Sequence, residues 1–204
     1  MHAQKSGTPR AAPPRRQLGC GLRVLWGRGG AGAGLRVPLE PFERGALEFV
    51  GRCRDLGLTV TFATNATAFS VEHLTQLIIE SGLGRDGDGV VTGGSVVARS
   101  LASRGVREVV AIAPPAMAAA IEAEGIDVLP PPEAGPHDGW AEPSPERALV
   151  MGASRTATFG SVERVGHLTT LGHPLFVTSL DPGYPALGRI EPGGGMLVAA
   201  LQVL

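Results

Sequence analysis

Apolar positions along the chain alternate between helical stripes and short continuous runs. From Glu43 to Leu56 the spacing of Leu47, Val50 and Cys53 or Leu56 predicts an amphipathic helix, with Gly57 as its stop. Leu58 to Ala63 is a continuous apolar run of the kind buried in parallel sheets. Ser70 is placed to cap a helix reaching about Glu80, with Leu74, Leu77 and Ile78 facing inward. Upstream, LRVLW (22–26) reads as a short strand and GRGGAGAG as a flexible loop. The order β-α-β-α predicts an α/β unit.

A second series follows. Val90 to Thr92 reads as a strand, Ser95 to Ser103 as a helix, and Glu108 to Ala113 (EVVAIA) as a strand. Met117 to Glu124 is the next helix and Ile126 to Leu129 the next strand. Residues 130–146 (PPPEAGPHDGWAEPSPE) read as a Pro-rich surface loop. Ala148 to Met151 is a strand, Ser161 to Leu171 a helix, and Pro174 to Thr178 a strand. SLDPGYPALGRIEPGGG reads as a long loop, and Met196 to Leu204 as the start of a final helix.

Charge changes this picture at one end. Seven basic residues, from Lys5 to Arg36, precede the first acidic one, Glu40, so residues 1–18 read as a disordered, Pro-rich basic arm. Over the whole chain the formal net charge is only −1, and no global field favours nucleic acid or a membrane. No run of about 18 apolar residues is present to span a bilayer. The two cysteines, Cys20 and Cys53, make no disulfide framework, and a reducing compartment, the cytoplasm, is expected. Cys53 reads as a small buried hydrophobe, and His167 and His173 as surface or capping residues. Asp86 and Asp88, in GRDGDG, read as a solvated turn, because the later ligands of a calcium loop are missing.

The candidate chemistry sits where the first buried strand ends, at Thr64-Asn65. Ligands of parallel α/β sheets bind beyond the carboxyl ends of strands. A Thr hydroxyl there, with backbone N–H groups leading towards a helix, can cradle an anion; the same dipeptide can also simply make a turn.

LTVTFATNATAFSVEHLTQLIIESGL resembles the second motif of haloacid dehalogenase-like phosphatases of the subclass with a large α/β cap, the 4-nitrophenyl phosphatase-like and phosphoglycolate phosphatase-like enzymes. VVTGGSVVARSLASRG and VVAIAPPAMAAAIEAEGIDVL resemble the first two units of that cap. FVTSLDPGYPALGRIEPGGGMLVAAL is similar to the family's segment with Thr-Asn-x-Asp followed by Pro-Gly-x-Gly, with Ser179 in place of the Asn. The resemblance implies a partial Rossmann-like parallel-sheet core over 19–81 and an α/β cap over 82–204. The chain would then stop before the second half of the core. It also implies Mg²⁺-dependent hydrolysis of small phosphate monoesters, with Thr64 and Asn65 holding the phosphoryl group and the loop at Asp181 helping to choose the substrate.

The same resemblance exposes departures. The family's first motif is Asp-x-Asp-Gly, whereas this chain has VLWGRGG, which puts Gly27 at the nucleophile and Gly29 at the general acid/base. Glycine can neither attack phosphorus nor ligate Mg²⁺. Lys5 is the only lysine, and the late acidic cluster that completes the family's metal site is not present, so the Mg²⁺ ligands are expected to be missing. Gly27-x-Gly29-x-x-Gly32 also matches a dinucleotide fingerprint formally, but Pro38 and Pro41 follow where a helix should open. The expectation is a catalytically impaired phosphatase relative that takes a small phosphorylated metabolite. The alternative is a non-catalytic phosphate-binding or oligomerisation module, forming a homo-oligomer through the cap.

Overall fold

A computed structural model describes residues 41–131, 140–186 and 189–202. The basic arm, the strand expected over 22–26 and the GRGGAGAG loop lie outside the described residues. Helix α1 (Pro41–Asp55) starts on a proline, whose fixed φ and missing N–H suit a first turn. Ala46, Leu47 and Val50 lie one turn apart and pack on Phe62 and Leu83. Strand β1 (Thr61–Thr64) pairs in parallel with β2 (Gly89–Thr92), Phe62 opposite Val90 and Thr64 opposite Thr92. Helix α2 (Val71–Glu80) joins them, and the Ser70 hydroxyl caps it by accepting from His73 N–H at 3.2 Å.

Two sequence expectations change here. The run from Leu58 to Ala63 was expected to be buried throughout, yet only Phe62 within β1 is, at 3% exposure; Thr61 and Ala63 are exposed. Strand residues alternate between faces, and among the described residues α1 and Leu83 cover one face of β1. The strand over Val90 to Thr92, expected to open the cap, is hydrogen-bonded to β1 instead.

The larger sheet is parallel throughout, in the order β4-β3-β5-β6. Its strands are β3 (Glu108–Ile112), β4 (Asp127–Leu129), β5 (Arg147–Met151) and β6 (Leu175–Val177). Both faces are covered. Val109, Ala111, Ala148 and Val150 meet α3 (Gly93–Ser103) and α4 (Pro115–Glu122) through Val97, Leu101, Met117 and Ile121. Val110, Ile112, Leu149 and Met151 meet α5 (Phe159–Thr170) and α6 (Gly194–Leu201) through Val165, Leu168 and Leu197. The fold class is therefore α/β with parallel sheets, as the sequence predicts. Each fully buried aliphatic side chain here contributes roughly 1.5–3 kcal/mol.

The segment expected as a structureless loop after β6 holds an antiparallel hairpin, β7 (Gly183–Ala186) with β8 (Arg189–Pro192), Gly183 opposite Pro192. Two further expectations are corrected. Trp140, placed in a surface loop, is 2% exposed, and so is His173, placed at the surface. Their rings stack on each other, which removes both from water. His167 is exposed as expected, and Cys53 is a free, half-buried thiol.

Candidate functional site

Three segments meet at the carboxyl end of β1. The first is the turn after Thr64. The Thr64 hydroxyl oxygen accepts from the Ala66 N–H at 3.2 Å, which bends the chain away from the sheet and leaves the hydroxyl proton to be given to an acceptor. The second is the start of α3. Thr92, opposite Thr64 in the ladder, is buried and caps α3 in a reciprocal pair with Ser95: Ser95 N–H donates to the Thr92 hydroxyl and Thr92 N–H to the Ser95 hydroxyl, both at 3.0 Å. Gly93 lies directly against the Thr64 turn; a Cβ there would stand 3.0 Å from the Asn65 carbonyl oxygen, so a side chain would push the two segments apart.

The third segment is the loop after β6. Ser179 and Asp181 close a small turn in which Asp181 N–H donates to the Ser179 hydroxyl at 3.0 Å and that hydroxyl donates to Asp181 Oδ2 at 2.9 Å. The Asp181 carbonyl accepts from Gly195 N–H at 3.0 Å and so satisfies a donor at the N-terminus of α6. The same Oδ2 accepts from Asn65 Nδ2 at 2.8 Å. The carboxylate of Asp181 is thereby held against the residue that follows Thr64.

Thr64, Asn65 and Asp181, singled out in the sequence, are thus brought together. Gly27 and Gly29 lie outside the described residues. Gly93 and Ser179 gain roles here that the sequence did not assign; the signals were the Gly-Gly after Thr92 and the Ser two residues before Asp181. Asp88 is not the solvated turn residue expected. Its carboxylate pairs with Arg54 Nη2, which also donates to the Leu83 carbonyl at 2.8 Å, and accepts from Arg85 N–H at 3.0 Å. Arg54, Arg85 and Asp88 line a recess at the opposite, amino end of β1, away from Thr64. Among the described residues no group of three or more His, Cys, Asp or Glu is arranged to hold a metal ion, so the donors present do not fit Mg²⁺. Among them, too, no helix is long and apolar enough to cross a membrane.

Residues 40–127 match the family of haloacid dehalogenase-like hydrolases. No curated protein matches the chain. Solved structures do. A hypothetical protein from Pyrococcus horikoshii OT3 has a TM-score of 0.66 at 21% identity, over 80% of this chain and 60% of that one. A p-nitrophenyl phosphatase from Archaeoglobus fulgidus gives 0.65 at 22% identity, over 81% and 59%. A glycerol phosphate phosphatase from Mycobacterium tuberculosis, in complex with magnesium, gives 0.61 at 23% identity, over 78% and 45%. The chain spans between 45% and 60% of the length of these three structures. At such identities the likeness is one of fold. Over residues 40–127 the chain is thus similar in sequence to haloacid dehalogenase-like hydrolases, and its fold is that of these solved structures.

Proposed function

We propose that the chain binds small phosphate monoesters at the carboxyl end of β1 and is an impaired relative of the phosphatases it resembles. The observation that carries this reading is the Thr64-Asn65 turn, tied to Asp181 by the 2.8 Å hydrogen bond between Asn65 and the Asp181 carboxylate. In this reading the Thr64 hydroxyl and the Asn65 N–H donate to phosphoryl oxygens, and the Asp181 loop faces the rest of the ester. The phosphatase names of two structural neighbours, and the magnesium bound by one of them, support the ligand class. When bound, Mg²⁺ would offset phosphate charge, but the described residues supply no ligand set for it and no step is assigned to it here. Gly27 and Gly29 stand at the positions of the family's catalytic carboxylates, so turnover is proposed to be slow. A single lost catalytic group typically costs several powers of ten in rate.

Phosphate release from 4-nitrophenyl phosphate and from phosphoglycolate, with and without Mg²⁺, tests this. No release above the Thr64→Ala variant, together with phosphate binding that Thr64→Ala weakens, is the expected result. Mg²⁺-dependent turnover at ordinary enzyme rates would overturn the impairment. Absence of phosphate binding would overturn the site. The proposed compartment is the cytoplasm, in keeping with the free thiol of Cys53. The second reading, self-association, is favoured by exposed Phe159 (88%), Ile190 (79%) and Leu180 (69%). A molecular mass that stays at the monomer value at all concentrations tested would exclude it.

A further inference from the structure

At the amino end of β1, opposite the Thr64 turn, residues 57–60 and 85–88 surround a recess of about 230 Å³ together with Arg54. One wall is fixed. Arg54 Nη2 donates to the Leu83 carbonyl and to the Asp88 carboxylate, and Asp88 Oδ2 also accepts from the Arg85 N–H. Gly57 and Gly87 border the recess in left-handed conformations, φ 70° and 88°, with open space where a side chain would stand. The mouth is therefore left uncovered by these two residues.

This wall carries donors that the chain does not use. Arg54 Nε is buried and has no hydrogen-bond partner among the described residues. The Arg85 side chain is 61% exposed, and its nearest approach to Asp88 is 4.0 Å, from Nε to Oδ1, too long for a hydrogen bond. The Thr59 hydroxyl, on an exposed residue, makes no hydrogen bond among the described residues. Arg54 and Asp88 offset each other's charge, which leaves the Arg85 guanidinium as the accessible cation. Asp86 stands next to it on the turn and is exposed. One incoming negative charge is attracted by Arg85, whereas a second meets Asp86 and Asp88. A guanidinium fork matches the two oxygens of a carboxylate. The volume is below the roughly 300–1,000 Å³ of pockets that hold drug-sized ligands, so a carboxylate with a short carbon chain fits.

We propose that this recess is a second ligand site, which takes a small monocarboxylate. Arg85 holds the carboxylate at both oxygens, and the Thr59 hydroxyl donates to one of them. The site shares no residue with the proposed phosphate site, since Thr64 and Asn65 lie at the other end of β1. Either site can therefore stand without the other.

Amide NMR titration of the full chain with acetate, malonate and inorganic phosphate, at constant ionic strength, tests it, in parallel with Arg85→Gln and Thr59→Val. Amide shifts report by residue, so binding at Thr59, Asp86 and Gly87 is read apart from binding at Asn65 and Ala66. The expected result is that acetate moves the recess amides saturably, and that malonate, despite its second charge, binds there no more tightly. Arg85→Gln should weaken acetate at least about tenfold, the size of a lost charge-assisted contact, at unchanged melting temperature. Thr59→Val should weaken it by a smaller factor. Recess amides that do not saturate with acetate, or acetate binding that survives in Arg85→Gln, would overturn the site. Tighter binding of malonate or phosphate at the same amides would reveal a general attraction of anions and overturn the choice of a monocarboxylate.

Discussion

The His173 ring donates from Nε2 to the Trp140 carbonyl oxygen at 3.0 Å and lies against the indole, with ring centroids 4.8 Å apart. The Arg147 guanidinium stands 5.4 Å from the Trp140 ring centroid. His173 Nδ1 is buried and has no hydrogen-bond partner among the described residues. The ring is therefore held mainly as a packing element. His173→Phe, which keeps the stack, should cost only about 1 kcal/mol, the size of one lost hydrogen bond. His173→Ala and Trp140→Ala should cost about 2–5 kcal/mol through the cavities they leave. Urea unfolding of the three variants gives the order; a Phe variant as unstable as the Ala variant would assign the stability to the hydrogen bond instead.

Arg54 and Asp88 join the end of α1 to the turn before β2, and their side chains are only 16% and 8% exposed. Removing either partner strands the other in a place with little water, so Arg54→Ala and Asp88→Ala should each cost about 3 kcal/mol or more. The double variant should cost clearly less than the sum. A double-mutant cycle measures this, and additive losses would show that the two groups act independently.

Gly195 and Gly45 should respond oppositely to alanine. At Gly195 the added Cβ meets the Leu180 carbonyl oxygen at 2.2 Å and its carbon at 2.6 Å, and neither backbone atom can yield without moving the Asp181 loop. Gly195→Ala should lower both the melting temperature and the affinity for inorganic phosphate. At Gly45, exposed within α1, nothing lies within 4 Å. Gly45→Ala should stabilise by about 0.5–1 kcal/mol and leave affinity alone.

Glu72 in the first turn of α2 titrates below the usual glutamate range, chiefly because a backbone N–H bonds to its carboxylate and secondarily because the Ser70 hydroxyl does. A carboxylate whose folded pKa lies below its unfolded value stabilises the fold at pH above the unfolded pKa, and that contribution fades as pH falls through the folded one. Carboxyl-carbon NMR titration should show a low Glu72 midpoint that moves up in Ser70→Ala. An unmoved midpoint would remove Ser70 as a contributor.

Much of the larger sheet was legible in the chain. Val109 to Ile112 and Ala148 to Met151 are continuous apolar runs, and such runs in a β-α-β order have few other uses. Helix starts were read two residues late at α3 and α5, because the apolar stripe is clearer than the cap. The cap signal was present: Thr92 with Ser95, and Thr158 with Ser161, are the same reciprocal pair. The hairpin over Gly183 to Pro192 was hidden by Pro185 and Pro192, which argue against a strand in any local reading. Burial of Trp140 depends on His173, 33 residues on, and the bond from Asn65 to Asp181 spans 116 residues. No local pattern encodes either. Thr64 and Asn65 were visible as a strand end, but their partner was fixed only by how the loop after β6 returns over the first sheet.

One pair at the amino end of the two inner strands of the larger sheet decides more than its size suggests. Both faces of β3 and β5 are apolar, so sliding one strand past the other by a residue would put no polar group into the interior. Hydrophobicity alone leaves that alignment free. Glu108 and Arg147 are direct neighbours across the two strands, and their side chains meet at 3.1 Å. A slip would set one of these charges opposite an alanine or a valine and break the contact. The interior thus supplies the cohesion of this sheet, while a half-exposed ion pair at its rim acts as the alignment mark that tells β3 and β5 where to start.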